Sequence, residues 1–453
     1  MGEISDVVGG GTPKTNDPAN FEGGDVPWIT PADLSGYTAK YISRGNRFIT
    51  RKGLASSAAR LLPAGTVLFT SRAPVGYVAI AGSPIATNQG FKSFVLKDCV
   101  LPDYVYWWLR GSKHRAEKLA SGTTFLELSG ASAKKIPIPV VPLERQRAVV
   151  AEIEKQFSRL DEAVAGLKRV KANLKRYKAA ILKAAVEGRL VETEADLARR
   201  EGRSYETGAQ LLQRILEARR SQWQGKGKYK EPTAPDTTDL PELPEAWAWA
   251  TAEQVCDFIT KGTTPSADKL ADGSGEIQFL KVYNLTFDGV LNYRYKPAFV
   301  SRETHDNDLA RSKVVAGDVL INIVGPPLGQ VSVVPDSIGE ANINQAIARF
   351  RPVAPLDSAF LTLLLRCEDV MRWVISRAKT TSGQSNLTLE LCRLLPMPLP
   401  PLGEQHRIVC EVDRLLSIAR EVEAEVETNL KRAKRLRQAV LTASFQVSAK
   451  FVG

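Results

Sequence analysis

The sequence predicts an α+β fold in which two β-rich globular regions alternate with two long helices that pair as an antiparallel coiled coil. Three observations support this prediction: an internal repeat, two long helical segments with matched apolar spacing, and short β-branched and aromatic runs separated by Gly and Pro. We expect a pseudo-twofold chain of five segments: a first globular region (1–142), a first long helix (143–190), a helical bridge and linker (191–242), a second globular region (243–400) and a second long helix (401–453).

The repeat is clearest where each globular region ends. The string Pro142-Leu-Glu-Arg-Gln146 matches Pro401-Leu-Gly-Glu-Gln405, and the same spacing persists without a gap to the end of the following helix. Looser matches precede it in the same order: Gly11-Thr12-Pro13 with Gly262-Thr263-Thr264-Pro265, Gly65 with Gly317, Gly76 with Gly329, Asn88-Gln89 with Asn344-Gln345, and Ser121-Gly122 with Ser382-Gly383. Ordered matches of this kind indicate a duplication.

The two long helices are predicted from apolar residues that recur every three or four positions. These are Ile153, Phe157, Leu160, Val164, Leu167, Val170, Leu174, Tyr177, Ile181 and Ala185 in the first helix, and Val412, Leu416, Ala419, Val422, Val426, Ala433, Leu436 and Val440 in the second. One short helix with such a stripe would pack on a globular core. Two matched long helices, each ending a repeat, favour packing against each other.

Composition and charge limit the function. The net charge of +11 and the pI of about 9.3 indicate a polyanionic partner, most commonly nucleic acid, although a soluble basic surface has the same signature. No run approaches the roughly 18 apolar residues of a membrane helix, and the start resembles no signal peptide, so we expect a cytoplasmic protein without membrane contact. Five scattered cysteines and three isolated histidines predict neither a disulfide framework, a metal site nor a catalytic histidine.

The order of these motifs resembles the specificity subunit of Type I restriction-modification enzymes. The resemblance is carried by the two Pro-Leu strings, the helix end 174–190 and the Leu243-Pro-Glu-Ala-Trp-Ala-Trp249 entry to the second unit. It implies two target-recognition domains, each reading one half of a split, asymmetric double-stranded DNA sequence. It also implies that the helices set the spacing and dock two methyltransferase subunits that methylate adenine N6, and that motor-nuclease subunits add restriction. The chain itself would hold no cofactor, since S-adenosylmethionine, ATP and magnesium would belong to the partners.

One departure from the family pattern concerns the first unit, which has no counterpart of the Leu243–Trp249 entry. We therefore expect about a dozen residues at the N-terminus to be missing or wrongly assigned, with consequences for the first edge strand.

Candidate DNA contacts are polar and basic side chains on loop-like segments, because phosphates attract Lys and Arg and base edges are read best by Arg, Lys, Asn and Gln. They are Lys14, Arg51, Lys52, Arg72, Thr123 and Thr124 in the first unit, and Lys261, Lys281, Tyr283, Lys313, Lys379, Gln384 and Asn386 in the second. Each alone is more often a solvated side chain, and we expect about a third to touch DNA, phosphate more than base.

Other residues leave alternatives open. The Asn88-Gln89 and Asn344-Gln345 pairs suit turns or structural hydrogen bonds, and the paired glycines suit tight turns. The basic runs of the long helices, 168–178 and 431–437, fit a solvated face, DNA or an acidic partner equally well.

The sequence disfavours two rival functions. Catalysis by this chain is disfavoured because it has neither a P-loop nor an Asn/Asp-Pro-Pro-aromatic motif for a flipped adenine; Asn16-Asp17-Pro18-Ala19 is its nearest string. A protein-only coiled-coil scaffold would leave the two divergent β-rich regions unexplained.

Overall fold

A computed structural model describes residues 1–72, 74–122, 126–224, 227–325, 327–381 and 384–449, without the side chains of 379–381, 384–385 and 447–449. The chain forms two compact units. Unit 1 comprises residues 1–169 together with the chain from Val426 onward, and unit 2 comprises Val170–Glu425. Each long helix therefore begins in one unit and ends in the other.

The described part of unit 1 begins with short strands and short α-helices. The strands are β1 (Ser5–Gly9), β2 (Val26–Ile29), β3 (Tyr41–Ile42), β4 (Arg47–Ile49), β5 (Val67–Phe69), β6 (Val78–Ala81), β7 (Ala86–Thr87) and β8 (Lys92–Leu96). The helices are α1 (Arg51–Ala55), α2 (Pro102–Gly111), α3 (Lys113–Leu119) and α4 (Gly130–Lys134), and the first long helix, α5 (Leu143–Val186), follows them.

The strands of unit 1 form a five-stranded sheet in the order β1-β8-β5-β6-β3 and a three-stranded sheet in the order β4-β2-β7. One face of the larger sheet packs on α2, because Phe69 and Phe94 point from the sheet into a cluster with Tyr104 and Trp108. The other face carries Leu68 in a second cluster. Alternate residues along β5 therefore point to opposite faces, as the twofold period of a strand requires.

Unit 2 contains the bridge and the second globular region. Its helices are α6 (Glu194–Glu201), α7 (Gly208–Ser221), α8 (Ala252–Val255), α9 (Arg302–Asp306), α10 (Ser358–Arg366), α11 (Glu368–Ile375) and α12 (Leu389–Leu394), before the second long helix, α13 (Leu402–Ala449). Its strands are β9 (Ala248–Thr251), β10 (Cys256–Lys261), β11 (Ala271–Asp272), β12 (Ile277–Leu280), β13 (Gly289–Val290), β14 (Ala298–Val300), β15 (Lys313–Val315), β16 (Val319–Asn322), β17 (Val324–Gly325), β18 (Val331–Val333), β19 (Glu340–Ile343), β20 (Ile347–Pro352), β21 (Lys379–Thr381), β22 (Gln384–Asn386) and β23 (Pro396–Leu399).

The main sheet of unit 2 has the order β10-β20-β16-β18-β13, which repeats the connectivity of the five-stranded sheet of unit 1. A second five-stranded sheet, β11-β14-β12-β19-β15, packs beside it, and β9 pairs antiparallel with β23. The main sheet packs on α10 through Phe350 and Phe360, both of which are buried. Gly317 and Gly65 occupy equivalent tight turns with φ of +84° and +85°, a conformation that favours glycine.

The long helices pair antiparallel within each unit, as the sequence predicted. In unit 1 the Arg437 guanidinium pairs with Asp161 and lies over the Phe157 ring, whereas in unit 2 Lys178 pairs with Glu423. Burial of the apolar stripe varies along the first long helix: Ile153 and Ile181 are buried, whereas Val170 and Tyr177 are exposed. This variation is expected because two helices alone bury only a narrow seam.

The glutamine of each Pro-Leu string joins a long helix to the loop that precedes it. Gln146 is fully buried; its Oε1 accepts from Leu101 N (2.8 Å), and its Nε2 donates to the carbonyls of Cys99 (3.0 Å) and Val141 (2.7 Å). Gln405 is equally buried, but its Nε2 donates only to the Pro400 carbonyl (2.9 Å), and its Oε1 has no partner in the described part of the chain. The repeated motif is thus a junction of unequal strength.

Candidate nucleic-acid interface

In unit 1, four chain segments meet beside the main sheet: residues 10–14 after β1, 70–72 after β5, 88–90 after β7, and 126–128. Three backbone hydrogen bonds join them, from Gly11 N to the Thr87 carbonyl (2.9 Å), from Ser71 N to the Gly90 carbonyl (2.7 Å) and from Leu128 N to the Ser71 carbonyl (2.8 Å). We call this group loop cluster 1. Loops held by a rigid sheet are the usual place for binding residues.

The corresponding segments of unit 2 meet in the same way: residues 262–266, 322–325, 344–346 and 384–387, here called loop cluster 2. Thr263 N donates to the Ile343 carbonyl (3.1 Å), Ile323 N to the Ala346 carbonyl (2.8 Å) and Leu387 N to the Ile323 carbonyl (2.9 Å). The duplication therefore reproduces the loop arrangement as well as the sheet.

Glycine at the start of each cluster is required by close backbone approach. A Cβ on Gly10 would lie 1.9 Å from the Asn88 carbonyl oxygen, and one on Gly262 would lie 2.0 Å from the Ile343 carbonyl oxygen. No side chain is tolerated at such distances unless the backbone moves. These glycines let the chain leaving the first strand lie against the Asn-Gln turn.

The Gly-Thr-Pro and Asn-Gln motifs, far apart in sequence, meet in both clusters. The Thr12 hydroxyl donates to the Gln89 side-chain oxygen, and the Thr264 hydroxyl donates to that of Gln345. Asn88 has the turn role, since its Oδ1 accepts from Gly90 N (2.9 Å). The sequence predicts turn or structural roles for these amides, and its one signal for their pairing with the threonines is the recurrence of both motifs in the two halves.

Two of the predicted residues of unit 1 lie in loop cluster 1. Lys14 is exposed two residues beyond Thr12, and Arg72 follows Ser71 with its guanidinium 3.7 Å from the Glu127 carboxylate. Thr123 and Thr124, which were predicted alongside them, lie outside the described residues.

Arg51 and Lys52 lie instead in the first turn of α1, where both side chains are exposed and paired with acids. The Arg51 guanidinium is 3.4 Å from Asp25, and the Lys52 ammonium is 3.1 Å from Asp17. The hydrogen bond from Lys52 lowers the pKa of Asp17, so this acid stays ionised and partly cancels the lysine charge.

In unit 2 the predicted residues Lys261, Lys281, Tyr283 and Asn386 lie in or beside loop cluster 2. Lys261 directly precedes Gly262. Lys281 follows Leu280, whose carbonyl accepts from Asn344 N (3.1 Å). Asn386 pairs with Val324 across β22 and β17. These positions bring basic, aromatic and amide groups together around the Gln345 turn.

An exposed aromatic and basic patch adjoins this turn. The Tyr283 ring meets the Tyr295 ring edge-on at 5.9 Å between centroids, and the Tyr283 hydroxyl donates to the Lys296 carbonyl (3.0 Å). The ammonium groups of Lys281 and Lys296 lie 6.0 and 5.4 Å from the Tyr283 and Tyr295 ring centroids, respectively. Lys296 is exposed and was not among the predicted residues.

Three other predicted residues of unit 2 are not part of this aromatic and basic patch. Lys313 lies on β15 with its ammonium 2.5 Å from Asp306, and this hydrogen bond lowers the pKa of the aspartate. Lys313 is therefore held in an ion pair at the second sheet. Lys379 and Gln384 belong to the hairpin of β21 and β22, and only the backbone of these two residues is described.

The basic runs of the long helices are partly committed to helix pairing, through Lys178 with Glu423 and Arg437 with Asp161. Within the described ranges, no group of His, Cys, Asp and Glu could hold a metal ion. The same residues contain no helix that is long and apolar enough to cross a membrane.

Solved structures define the class of fold. One similar structure comes from work on complex assembly and conformational transition of the type I R-M system. It is 19% identical to this chain, has a TM-score of 0.65, and the match covers 98% of this chain and 96% of that chain. The HsdS subunit from Thermoanaerobacter tengcongensis is 18% identical, with a TM-score of 0.56, covering 98% and 95%. The chain therefore has the fold of a Type I specificity subunit.

The family model for the Type I restriction modification DNA specificity domain matches residues 1–176 and 244–432, and the chain belongs to this family. The MjaIX specificity subunit of Methanocaldococcus jannaschii is 45% identical over 150 residues, which is 32% of this chain and 34% of that protein. The EcoBI specificity subunit of Escherichia coli is 26% identical over 372 residues, 80% of this chain and 69% of that protein. The matched segment thus spans about a third of the MjaIX subunit and about two thirds of the EcoBI subunit.

Proposed function

We propose that this chain is the non-catalytic DNA-reading subunit of a Type I restriction-modification complex, and that its two loop clusters each read one half of a bipartite, asymmetric site. The observation that carries this proposal is the repetition of one loop architecture with different side chains. Arg72 of loop cluster 1, for instance, corresponds to Val324 of loop cluster 2. Each follows the residue, Ser71 or Ile323, whose backbone N–H donates to the Asn-Gln turn. Equal scaffolds with unequal loops suit two different half-sites.

The charge and chemistry of the clusters support duplex DNA as the ligand. Lys14 in one unit and Lys261 and Lys296 in the other supply exposed cations for phosphates, and Lys281 is half-buried beside Tyr283. Asn386, whose Oδ1 is buried without a partner in the described part of the chain, remains a proposed contact. Arg51, Lys52 and Lys313 would contribute less because acids already hold them. Thr123, Thr124, Lys379 and Gln384 remain proposed contacts.

The proposed partners are two methyltransferase subunits, which would bind S-adenosylmethionine and methylate adenine N6, and motor-nuclease subunits, which would use ATP and magnesium. The paired long helices support a spacer role, since rigid helices of fixed length fix the unread gap between half-sites. Duplex DNA presents equivalent faces about one turn apart, roughly 34–36 Å.

The test is to co-express the chain with the methyltransferase subunit encoded beside it and to map N6-methyladenine across the host genome. The expected result is methylation at one split, asymmetric motif that disappears without this chain. Replacing residues 1–140 with those of a relative should change one half of the motif and leave the other half intact. Methylation that persists without this chain, or that falls on a short continuous motif, would contradict the proposal and favour a protein-binding scaffold.

A further inference from the structure

The side-chain amides of Gln89 and Gln345 are exposed, and each is held at one end. The Thr12 or Thr264 hydroxyl donates to the amide oxygen, so the amide nitrogen points away from the threonine with both of its hydrogens. No partner of either Nε2 occurs among the described residues. Each cluster thus presents one oriented, neutral hydrogen-bond donor to solvent.

This donor has the same supports in both units. Gly10 and Gly262 allow the first strand to lie against the turn, and backbone bonds fix the turn on the sheet, from Asn88 N to the Ile29 carbonyl (2.9 Å) and from Asn344 N to the Leu280 carbonyl (3.1 Å). A glutamine with its own partner on a rigid turn loses little rotamer freedom when it binds a ligand, which strengthens the contact.

The neighbouring positions differ between the units. Lys14 corresponds to Ser266, because each lies two residues after the threonine, and the loop ending at Leu128 has a different sequence from the hairpin ending at Leu387. The glutamine donor is the same in both units while the residues around it differ, so it suits a DNA feature that is the same in both half-sites. The phosphodiester backbone is present at every DNA sequence, and it offers only acceptors.

On this basis, and resting on the proposed DNA-reading function, we propose that Gln89 and Gln345 are matched backbone clamps. The Nε2 group of each donates to a phosphate oxygen and fixes the register of its unit on the duplex, and neither glutamine reads a base. Thr12 and Thr264 are positioning residues that act through the glutamines.

The sharpest variants are Gln89→Glu and Gln345→Glu. A glutamate keeps an oxygen that accepts from the threonine hydroxyl, so local structure is retained, but it replaces the outward donor with an anion that phosphate repels. Gln222→Glu is the matched control. Gln222 is exposed at the end of α7, so this substitution adds the same negative charge outside both loop clusters.

The assay measures dissociation constants of the full chain for two duplexes, one selected from a random library by the wild-type chain and one unrelated. Gln89→Ala should weaken binding to both about 10-fold, the loss expected for one hydrogen bond to a charged group. Gln89→Glu should weaken binding more, and Gln222→Glu should leave it unchanged. The slope of binding against salt should stay constant in Gln89→Ala, whereas Lys14→Ala should reduce it by about 0.9 if that lysine pairs with phosphate.

Three results would overturn the inference: unchanged binding in Gln89→Ala and Gln345→Ala, a loss confined to the selected duplex with altered base preference, or a fall in thermal stability of Gln89→Glu that parallels the loss of binding. The second result would make the glutamines base readers, and the third would make the Thr–Gln pair structural. A wild-type chain that selects no sequence contradicts the proposed bipartite reading, while the measurements on the unrelated duplex still decide the role of the glutamines.

Discussion

Replacing Gln146 with alanine should destabilise the junction between the first long helix and the loop before it in unit 1. The same replacement at Gln405 should destabilise the equivalent junction of unit 2 much less. Gln146→Ala removes three hydrogen bonds, to Leu101 N, the Cys99 carbonyl and the Val141 carbonyl. Gln405→Ala removes one, to the Pro400 carbonyl. The two glutamines occupy the same motif and are equally buried, so each is a control for the other.

The magnitude follows from the number of partners. A neutral hydrogen bond stabilises the folded state by about 1 kcal/mol, and a buried group left without a partner costs about 1–3 kcal/mol. Gln146→Ala should therefore cost about 3–4 kcal/mol and Gln405→Ala about 1 kcal/mol. A difference of about 2–3 kcal/mol corresponds to a change of roughly 30- to 150-fold in the opening equilibrium.

Hydrogen exchange followed by mass spectrometry is the appropriate assay, because a chain of two units is not expected to unfold in a single two-state transition. Exchange should accelerate in α2 and the first turns of α5 in Gln146→Ala, and only slightly at the start of α13 in Gln405→Ala. Equal acceleration in the two variants, or a cost below about 1 kcal/mol for Gln146→Ala, would refute the idea that the number of hydrogen bonds made by each glutamine sets the stability of its junction.

Three further predictions concern stability. Burial raises the pKa of Glu194, but hydrogen bonds from its two arginine partners, Arg203 and Arg407, outweigh this effect and hold the pKa below 4.5. The ion pairs therefore stabilise the fold fully above pH 4.5, and their contribution is lost as the pH falls through the lowered pKa. Glu194→Gln should therefore cost about 1–3 kcal/mol at pH 7, allowing for the part-exposed arginines, and the difference from wild type should vanish at low pH in urea titrations. Phe445→Ala should cost about 3–5 kcal/mol, since this buried ring meets two aromatic rings of α2 at 5.2 and 5.0 Å; an unchanged melting temperature would refute this. Gly10→Ala should destabilise unit 1 by at least about 2 kcal/mol in thermal melts because of the backbone clash, whereas Gly130→Ala, with open space around it, should be neutral.

Much of the architecture was predictable because it depends on local patterns. The duplication, the strands of each main sheet and the long helices follow from residue periodicity and the repeated order of motifs. The pairing of the helices was also predicted, and contacts in both units confirm it. The short helices follow less directly from periodicity. Helix α2 gives way to α3 at Ser112, and the helical bridge is divided between α6 and α7 after Gly202, whose φ of +64° ends α6.

The loop clusters were predictable only in part. Side-chain type indicated which loops could meet DNA, but whether a cation is free depends on acids brought near by folding. Lys52 meets Asp17 and Lys313 meets Asp306, and neither pairing has a sequence signal. Lys296 was missed for the same reason, since its position beside the Tyr283 and Tyr295 rings arises from folding of the loop.

The sequence by itself determined the repeat, the alternation of globular region and long helix, the basic character and the family, because these depend on the order and spacing of residues along the chain. Only the tertiary structure decided that Thr12 meets Gln89 and that Gln146 holds three backbone groups while Gln405 holds one. The physical reason is that hydrogen bonds between distant segments depend on positions set by the whole packed sheet, to within a few tenths of an ångström. The repeat shows that two motifs recur together, whereas the fold shows which atoms they bring into contact.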